Sequence, residues 1–351
     1  MSARLATRRH VLWTARGRSV RFERRVGVLV AVLIVLILAV GAFALTLGDY
    51  DIPVGQVLAA LTGRATDPLA GWFVTGVRLP RVLTALLVGA ALGVSGGVFQ
   101  TISGNPLGSP DIIGFTTGAS TGALLTIVAL GGSQAGTTVG ALVGGLATAV
   151  LVYLLSWRAG VTGFRLVLVG IGVSAALHAA NTLLVARAEL RVAQTAQQWL
   201  SGSLNASTWE GLALLGLSLL ILCPFVVWSF RGLALLPLGD DLSRGLGVPV
   251  ERLRLVAVLA AVALVSVATA TTGPIAFVAL AAPHVARRLA HTAGPGLFCA
   301  ALTGALLVLV SDVLAQRLFA PTQLAVGVVT GALGGVYLIV LLATEWRRHR
   351  A

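Results

Sequence analysis

Hydrophobic residues in this chain fall into long, nearly uninterrupted runs that short polar segments separate. A helix needs roughly 20 apolar residues to cross the hydrocarbon core of a bilayer. The pattern therefore predicts an all-α, polytopic integral membrane protein with about ten transmembrane helices. We place the spans near 26–47, 82–102, 112–130, 137–155, 166–185, 212–230, 253–271, 275–289, 297–314 and 324–342.

The polar ends of the chain divide it into three parts. Residues 1–25 form a basic N-terminal arm, residues 26–346 form one transmembrane domain, and residues 347–351 form a short tail. The first apolar run is longer than the ~7–15 residues of a cleaved signal core. We therefore predict that it is retained as the first span.

Composition supports a bilayer as the solvent of this protein. The chain is 57% hydrophobic and 11% charged, and it contains 42 glycines. In lipid, small residues allow helix backbones to approach closely, because no hydrophobic force drives helices together there. The glycines are therefore predicted to lie at contacts between helices.

The basic residues are all arginines, and their distribution predicts an orientation. The net charge is +13, but the 25 arginines do not gather into one basic face with interleaved aromatic residues, so no nucleic-acid partner is predicted. With ten spans, 19 arginines lie on the side of both termini and six on the other side. Cytoplasmic loops carry an excess of basic residues. Both termini are thus predicted to face the cytoplasm.

The absence of lysine from the sequence also limits the chemistry of the chain. The phosphate-binding loop GxxxxGK[ST] requires a lysine. If ATP drives this protein, a separate subunit must bind it, and no cofactor is predicted for this chain.

A weak internal repeat is visible in the pattern of the breaks. A basic start, an apolar helix, a Gly/Pro break and a second helix occur at 78–130 and again at 252–289. Transporters often contain inverted repeats of this kind.

Two breaks flank the second span. At its outer start, Arg78 and Arg81 lie one helical turn apart and indicate an acidic partner, with snorkelling to lipid headgroups as the alternative. At its inner end, Asn105-Pro106 ends the helix. Ser109, Pro110 and Asp111 are predicted to cap and begin the next one. Irregular backbone at membrane depth requires shelter from lipid, so this break is either a gate or a simple loop.

The segment 238–248 is predicted to be a short amphipathic helix. Leu238, Leu242 and Leu246 recur at a spacing of four, while Asp241 and Arg244 occupy another face. A helix of about two turns is not stable alone in water, so it requires a surface to lie on. That surface is a partner protein or the bilayer, and the two adjacent aspartates disfavour anionic lipid. The segment also contains Gly239, Asp240, Gly245 and Gly247.

Several motifs occur in one order along most of the chain. They are Arg78-Leu79-Pro80-Arg81, Asn105-Pro106-Leu107 with Pro110, Leu238 to Val248, Gly273-Pro274-Ile275-Ala276-Phe277-Val278 with Pro283-His284, Ser311-Asp312, and Leu324-Ala325-Val326-Gly327-Val328-Val329-Thr330 with Gly334-Gly335. Together they resemble the FecCD-type permease family. The resemblance implies a ten-span importer subunit for siderophores, haem or cobalamin. The stretch 109–115 is similar to members that handle ferric siderophores, notably catecholates.

The resemblance also implies partners and residue roles. The partners are two ATP-binding-cassette ATPases, a periplasmic or lipoprotein substrate-binding protein, a second permease that is a copy or a sister chain, and membrane lipid. Arg78 and Arg81 match arginines that dock the binding protein. Arg317 is the third predicted docking residue, although it lies one position after Gln316, where the family usually has its basic residue. Segment 238–248 matches the coupling helix that enters the ATPase, and Asn105 and Leu107 match a cytoplasmic gate.

Polar residues inside the spans permit two further interpretations. His178 and Asn181 lie three residues apart on the fifth span, where they either form interhelical hydrogen bonds or line the cargo path with Pro106 and its neighbours. The alternative function is a proton-coupled secondary transporter, which needs buried acidic or histidine relays. The sequence contains no HExxH motif and no paired intramembrane carboxylates, so an enzyme is not favoured. No catalytic residue and no metal ligand are predicted.

Overall fold

A computed structural model describes residues 4–6, 10–15, 18–48, 50–65, 67–157, 163–291 and 294–348. Almost all of it is helical. The exception lies in the N-terminal arm, where three short strands form an antiparallel sheet in the order β1-β2-β3. The strands are β1 Arg4–Ala6, β2 His10–Ala15 and β3 Arg18–Glu23. They lie outside the helical domain, so the predicted all-α class holds for the membrane part of the chain.

The helices follow the hydrophobic runs of the sequence in order. They are α1 Arg24–Thr46, α2 Val54–Leu61, α3 Pro68–Trp72, α4 Leu79–Ser103, α5 Phe115–Ala129, α6 Gln134–Ser156, α7 Gly163–Arg187, α8 Leu190–Leu200, α9 Trp209–Leu235, α10 Asp240–Gly245, α11 Val250–Thr272, α12 Val278–Ala290, α13 Leu297–Arg317 and α14 Val326–Arg348. A π-helical turn, Phe73–Arg78, joins α3 to α4, and a 3-10 turn, Leu236–Leu238, precedes α10.

Each of the ten predicted spans coincides with one helix, but the helices differ in length. Within the described residues, seven helical stretches are long and apolar enough to cross a bilayer by themselves. The apolar parts of α5 and α14 are shorter, and α12 has 13 residues. Ten crossings therefore remain a prediction, because these three helices must reach across the bilayer with help from the segments that flank them.

Glycines produce the closest helix contacts, as the composition predicted. A Cβ added to Gly89 or Gly93 of α4 would run into the backbone of α13 at Gly304 or Ala300. In the same way, Gly122 of α5 lies directly against the backbone of α6. Because these positions have no room for a side chain, α4 packs tightly on α13 and α5 on α6.

The predicted repeat corresponds to two interrupted helices. After α4, the segment 104–114 contains Gly104 at φ 62° and Gly114 at φ 92°. After α11, the segment 273–277 contains Gly273 at φ 74° and Phe277 at φ 69°. Both long helices thus end in a left-handed residue and are followed by a short helix. An inverted symmetry between the two units stays a prediction.

One helix start was predicted wrongly. The sequence predicted that Pro110 and Asp111 open the third span, but α5 begins at Phe115. Ser109 Oγ accepts a hydrogen bond from Ile112 N at 3.3 Å, so it caps a single turn. The left-handed Gly114 then separates this turn from α5.

Candidate functional site

The predicted coupling segment forms a short helix with an uncovered leucine stripe. Leu238, Leu242 and Leu246 are 52%, 54% and 56% exposed. The helix is shorter than predicted, because α10 covers only Asp240–Gly245. Gly239 has φ 93° and ψ 157°, which no helical residue adopts, so Leu238 belongs to the preceding 3-10 turn. The leucines nevertheless present one apolar surface that the rest of the described chain does not cover.

Ion pairs within the chain fix the orientation of this segment. Arg254 of α11 binds the Asp240 carboxylate with two hydrogen bonds of 2.8 Å. Arg244 lies 3.3 Å from both Asp241 and Glu251. A bidentate arginine–carboxylate pair fixes geometry as well as adding energy. These charged groups are therefore paired with one another within the chain, and the leucine stripe faces away from it.

A further hydrogen bond holds the middle of α10. Ser243 is buried, and its Oγ donates to the carbonyl oxygen of Leu235 at 3.0 Å. This bond ties α10 back onto the end of α9. The coupling segment is thus anchored on both sides, to α9 and to α11.

The predicted gate residues lie at the end of α4. Asn105, Pro106 and Leu107 are exposed, and Asn105 Oδ1 accepts a hydrogen bond from Leu107 N at 2.9 Å. Pro106 lines a cavity of about 520 Å³. Leu236 and Gly239, which lead into α10, line the same cavity. The gate candidate and the coupling segment therefore border one space.

Two further polar side chains line this cavity. Arg287 of α12 donates a hydrogen bond to Gln100 Oε1, and Gln100 Nε2 donates to the carbonyl oxygen of Leu280 at 2.9 Å. Gln100 is buried near the end of α4. These bonds join the gate end of α4 to α12.

The arginines at the predicted outer end have partners within the chain. Arg78 is buried and donates to the carbonyl oxygens of Leu45 and Tyr50, at 2.9 and 2.5 Å. Arg81 donates to both oxygens of Asp312, at 2.8 and 2.9 Å. Asp312 of α13 is therefore an acidic partner of Arg81 within the chain, whereas Arg78 binds backbone carbonyl oxygens. The docking of a binding protein by Arg78 and Arg81 stays a prediction.

Asp312 completes an outer cluster that sequence reasoning did not assemble. Its side chain is only 1% exposed, and it also accepts a hydrogen bond from Gln316 Nε2 at 2.9 Å. Arg317 is exposed instead, with Nη2 at 3.4 Å from the carbonyl oxygen of Gly48. Of the three arginines predicted to dock a partner, Arg317 is the one with an accessible side chain.

The predicted polar pair on α7 does not share one environment. Asn181 is buried, whereas His178 is exposed on the surface of α7. Residues three apart are neighbours on a helix, but the packing of α5 against α7 covers only part of this face. The prediction that both side chains face inward is wrong for the isolated chain. His178 is the member that a partner or a water-filled path can reach.

Chemistry-bearing side chains do not cluster elsewhere in the part of the chain that the structure describes. No group of three or more His, Cys, Asp or Glu side chains there has a geometry that could hold a metal ion. One carboxylate that the sequence did not single out as a functional group, that of Asp111, is buried between α4 and α5, and its oxygen Oδ1 accepts a 2.5 Å hydrogen bond from Thr116 Oγ1.

Long apolar helices, two interrupted helices and a fixed helix with an uncovered apolar stripe define a multi-pass membrane transport protein. The chain belongs to the FecCD transport family, whose model matches residues 29–344. It is 48% identical, over 93% of its length and 98% of the relative's, to the ferric enterobactin transport system permease protein FepG of Escherichia coli. It is 38% identical, over 97% of its length and 98% of the relative's, to the achromobactin transport system permease protein CbrC of Dickeya dadantii.

A solved structure agrees with this assignment. An inward-facing conformation of a metal-chelate type ABC transporter superposes with a TM-score of 0.81 at 31% sequence identity. The match covers 91% of this chain and 99% of that chain. The family resemblance that the sequence motifs indicated is thereby confirmed.

Proposed function

We propose that this chain is the membrane-spanning permease subunit of an ATP-binding-cassette importer that moves ferric siderophores into a bacterial cell. The cargo rests on the relatives, because permeases for ferric enterobactin and achromobactin are 48% and 38% identical to this chain. A siderophore fills the coordination sphere of its iron, so the permease needs no metal ligand of its own. The iron is cargo, and the chain is a gated conduit without a catalytic residue.

The uncovered leucine stripe of α10 carries the proposal. Leu238, Leu242 and Leu246 are each more than half exposed, although α10 itself is held rigidly by Asp240 and Ser243. A short helix with an uncovered apolar face requires a partner surface. The chain contains no lysine for a nucleotide-binding loop, so the ATP must be bound elsewhere. Two ATPase subunits that each receive one such segment satisfy both requirements.

The remaining partners follow from the other exposed surfaces. Helices α7 and α9 are largely unburied in the single chain, which fits contact with a second permease, either a copy or a sister chain, and with lipid. A substrate-binding protein is expected at the opposite end from α10, where Arg317 is accessible. The arginine bias supports cytoplasmic termini in the inner membrane.

The transport path is proposed to pass the segment that joins α4 to α5. Pro106, which lies between Asn105 and Leu107, lines the cavity next to the coupling segment, so movement of α10 by an ATPase reaches the gate over a short distance. His178 of α7 is placed to contact the cargo or the second permease.

Uptake by the reconstituted transporter tests this function. We expect liposomes that contain the chain, its ATPases and its binding protein to accumulate ferric siderophore only when ATP is supplied. Collapse of the proton gradient should leave uptake unchanged. Uptake that follows the proton gradient and ignores ATP would establish the proton-coupled alternative and refute the importer.

A further inference from the structure

The cavity between the end of α4 and the coupling segment has a basic lining. Its volume is about 520 Å³, and in the part of the chain that the structure describes its charged lining residues are Arg254 and Arg287, with no aspartate or glutamate among them. The carboxylate of Asp240, next to Gly239 of the lining, is bound by Arg254 through two hydrogen bonds of 2.8 Å. Because that pair is neutral as a whole, Arg287 gives the cavity an excess of positive charge.

The Arg287 guanidinium has no carboxylate partner among the described residues. It donates one hydrogen bond to Gln100 Oε1, a neutral acceptor, and its side chain is half-buried. A guanidinium has five N–H donors, so most of those of Arg287 have no partner in the described chain. None of its nitrogen atoms is shut off from solvent in that condition. A partly desolvated cation gains stability from an anion, and the open donors of Arg287 can reach one in the cavity.

Gln100 fixes the position of this guanidinium. Its side chain is only 4% exposed, and its Nε2 donates a hydrogen bond to the carbonyl oxygen of Leu280 at 2.9 Å. Because the amide is held at its nitrogen, its oxygen orients Arg287 before any ligand arrives. Binding groups that are already fixed lose less conformational entropy when a ligand binds. The arginine is therefore preorganised and not a free surface side chain.

The end of α12 offers a structural explanation for a basic residue here, but only for part of the arrangement. Arg287 and Arg288 both lie in the last turn of α12, where a cation interacts favourably with the negative end of the helix dipole. Arg288 is exposed. The dipole therefore accounts for arginines in this turn. It does not account for the one arginine that lines a cavity and is held by a buried amide.

The surroundings of the cavity favour a phosphate group as the anion. The planar fork of a guanidinium matches two oxygens of a phosphate. Phe164, at the start of α7, lines the same cavity and is 78% exposed. Exposed aromatic rings are typical of the boundary between lipid headgroups and acyl chains. Basic pockets between transmembrane helices on the cytoplasmic side bind anionic headgroups, and the arginine bias predicts that this end of the chain is cytoplasmic.

We propose that this cavity is a binding site for a phosphate-bearing anion and that Arg287, oriented by Gln100, is its principal ligand. The phosphate belongs either to an anionic lipid headgroup or to a soluble ion, and the recognition chemistry is the same for both. The site goes beyond the importer function and does not depend on it, because binding requires neither ATP nor an ATPase subunit.

Two measurements on the purified full-length chain test the site and identify the source of the phosphate. In the first, inorganic phosphate is titrated calorimetrically into the chain in phosphatidylcholine nanodiscs at constant ionic strength. In the second, native mass spectrometry counts the lipids retained by the chain from nanodiscs that contain equal amounts of phosphatidylglycerol and phosphatidylcholine. We expect saturable phosphate binding, selective retention of phosphatidylglycerol, or both.

Arg287→Gln should weaken the observed binding roughly tenfold or more, the loss expected for charge-assisted hydrogen bonds to a phosphate. The matched control is Arg288→Gln, which removes the same charge from the next, exposed position of α12 and should leave binding unchanged. If Arg287→Gln does not fold, Arg287→Lys keeps the charge and loses the fork, and it should weaken binding roughly threefold.

The outcomes decide both the site and the source. Phosphate binding that requires Arg287 supports a soluble anion, and phosphatidylglycerol retention that requires Arg287 supports a lipid headgroup. Absence of both kinds of binding would overturn the proposal. Equal losses in Arg287→Gln and Arg288→Gln would also overturn it, because they would show attraction to the general basic surface. Unchanged affinity in Arg287→Lys would contradict recognition by the guanidinium.

Discussion

The two ends of this molecule use the same kind of ion pair but leave different surfaces exposed. At the predicted outer end, Arg81 binds Asp312 through two hydrogen bonds, and both side chains are largely buried. At the coupling end, Arg254 binds Asp240 in the same bidentate manner. The leucines next to Asp240 nevertheless remain exposed. The outer pair joins two long helices, whereas the inner pair orients a short one.

This difference shows that, in this fold, a charged motif in the sequence does not by itself mark a surface for a partner protein. Arg78 and Arg81 are conspicuous in the sequence, yet their guanidinium groups bind carbonyl and carboxylate oxygens of the same chain. The surface left for a partner is apolar at α10, and at the outer end it includes the accessible side chain of Arg317. The following predictions test this contrast from the largest expected effect to the smallest.

Loss of the outer ion pair should destabilise the chain most. Arg81→Leu leaves the Asp312 carboxylate buried with Gln316 as its remaining side-chain partner, and we expect a cost of about 3 kcal/mol. Asp312→Leu should cost less, because Arg81 retains some access to solvent. The double variant should be more stable than Arg81→Leu alone. Thermal unfolding of the purified chain measures all three, and additive losses would contradict a direct pair.

A charge in the leucine stripe should disrupt assembly without disrupting the fold. Leu242→Glu is expected to weaken ATPase binding about thirtyfold, which corresponds to about 2 kcal/mol at an interface hot spot. Its unfolding should match that of the unmodified chain. Co-purification with the ATPase subunits gives the readout. The control is Leu61→Glu on α2, an exposed leucine far from α10, and equal losses in both variants would contradict the contrast.

Helix packing beneath the outer pair should tolerate no added methyl group. Gly93→Ala places a Cβ against the backbone of Ala300 in α13 and is expected to cost roughly 1–2 kcal/mol. Gly172→Ala on α7 meets open space and should be neutral or slightly stabilising. A comparison of thermal unfolding separates the two. If both variants behave alike, the Arg81–Asp312 pair and not glycine packing would join α4 to α13.

The smallest effect concerns an exposed pair in the loop that follows α1. Tyr50 Oη donates to Asp67 Oδ2 at 2.9 Å, which lowers the pKa of the Asp67 carboxyl below its ordinary value of 3.8, and the Leu69 N–H acts in the same direction. The same bond raises the pKa of Tyr50 above 10.0. A lowered carboxyl pKa adds stability above pH 3.8 that is lost as pH falls through the folded value. A raised phenol pKa adds stability below pH 10.0 that is lost as pH rises.

The hydrogen bond between Tyr50 and Asp67 should therefore stabilise the loop between about pH 4 and pH 10. An NMR titration of the Asp67 carboxyl and the Tyr50 ring from below about pH 4 to above about pH 10 gives the readout, and Tyr50→Phe should raise the pKa of Asp67 towards 3.8. An unchanged pH profile in Tyr50→Phe would show that the pair does not hold the loop.

Features set by local sequence were predictable. The helices coincide with the apolar runs because lipid requires every backbone hydrogen bond to be satisfied within a segment. The leucine stripe of 238–248 follows from a spacing of four, and the two breaks follow from glycine and proline. The helix start at Phe115 was missed because Gly114 lies in the left-handed region, which the sequence of a capped turn does not reveal.

Features that depend on distant residues were not predictable. Arg81 and Asp312 are 231 residues apart, and no pattern in one chain pairs them. His178 and Asn181 share a helix face, but their burial depends on which neighbouring helix covers it. In each case the residue type indicated a polar contact, but the sequence did not reveal which residue or helix would provide it.

Photo-crosslinking from position 242 tests the central claim most directly. A photoreactive amino acid in place of Leu242, in the fully assembled transporter in a bilayer, should form an adduct with an ATPase subunit. The same group in place of Leu61 should not. Adducts from position 242 with lipid or with the substrate-binding protein, and none with an ATPase, would contradict the assignment of the leucine stripe as the coupling surface.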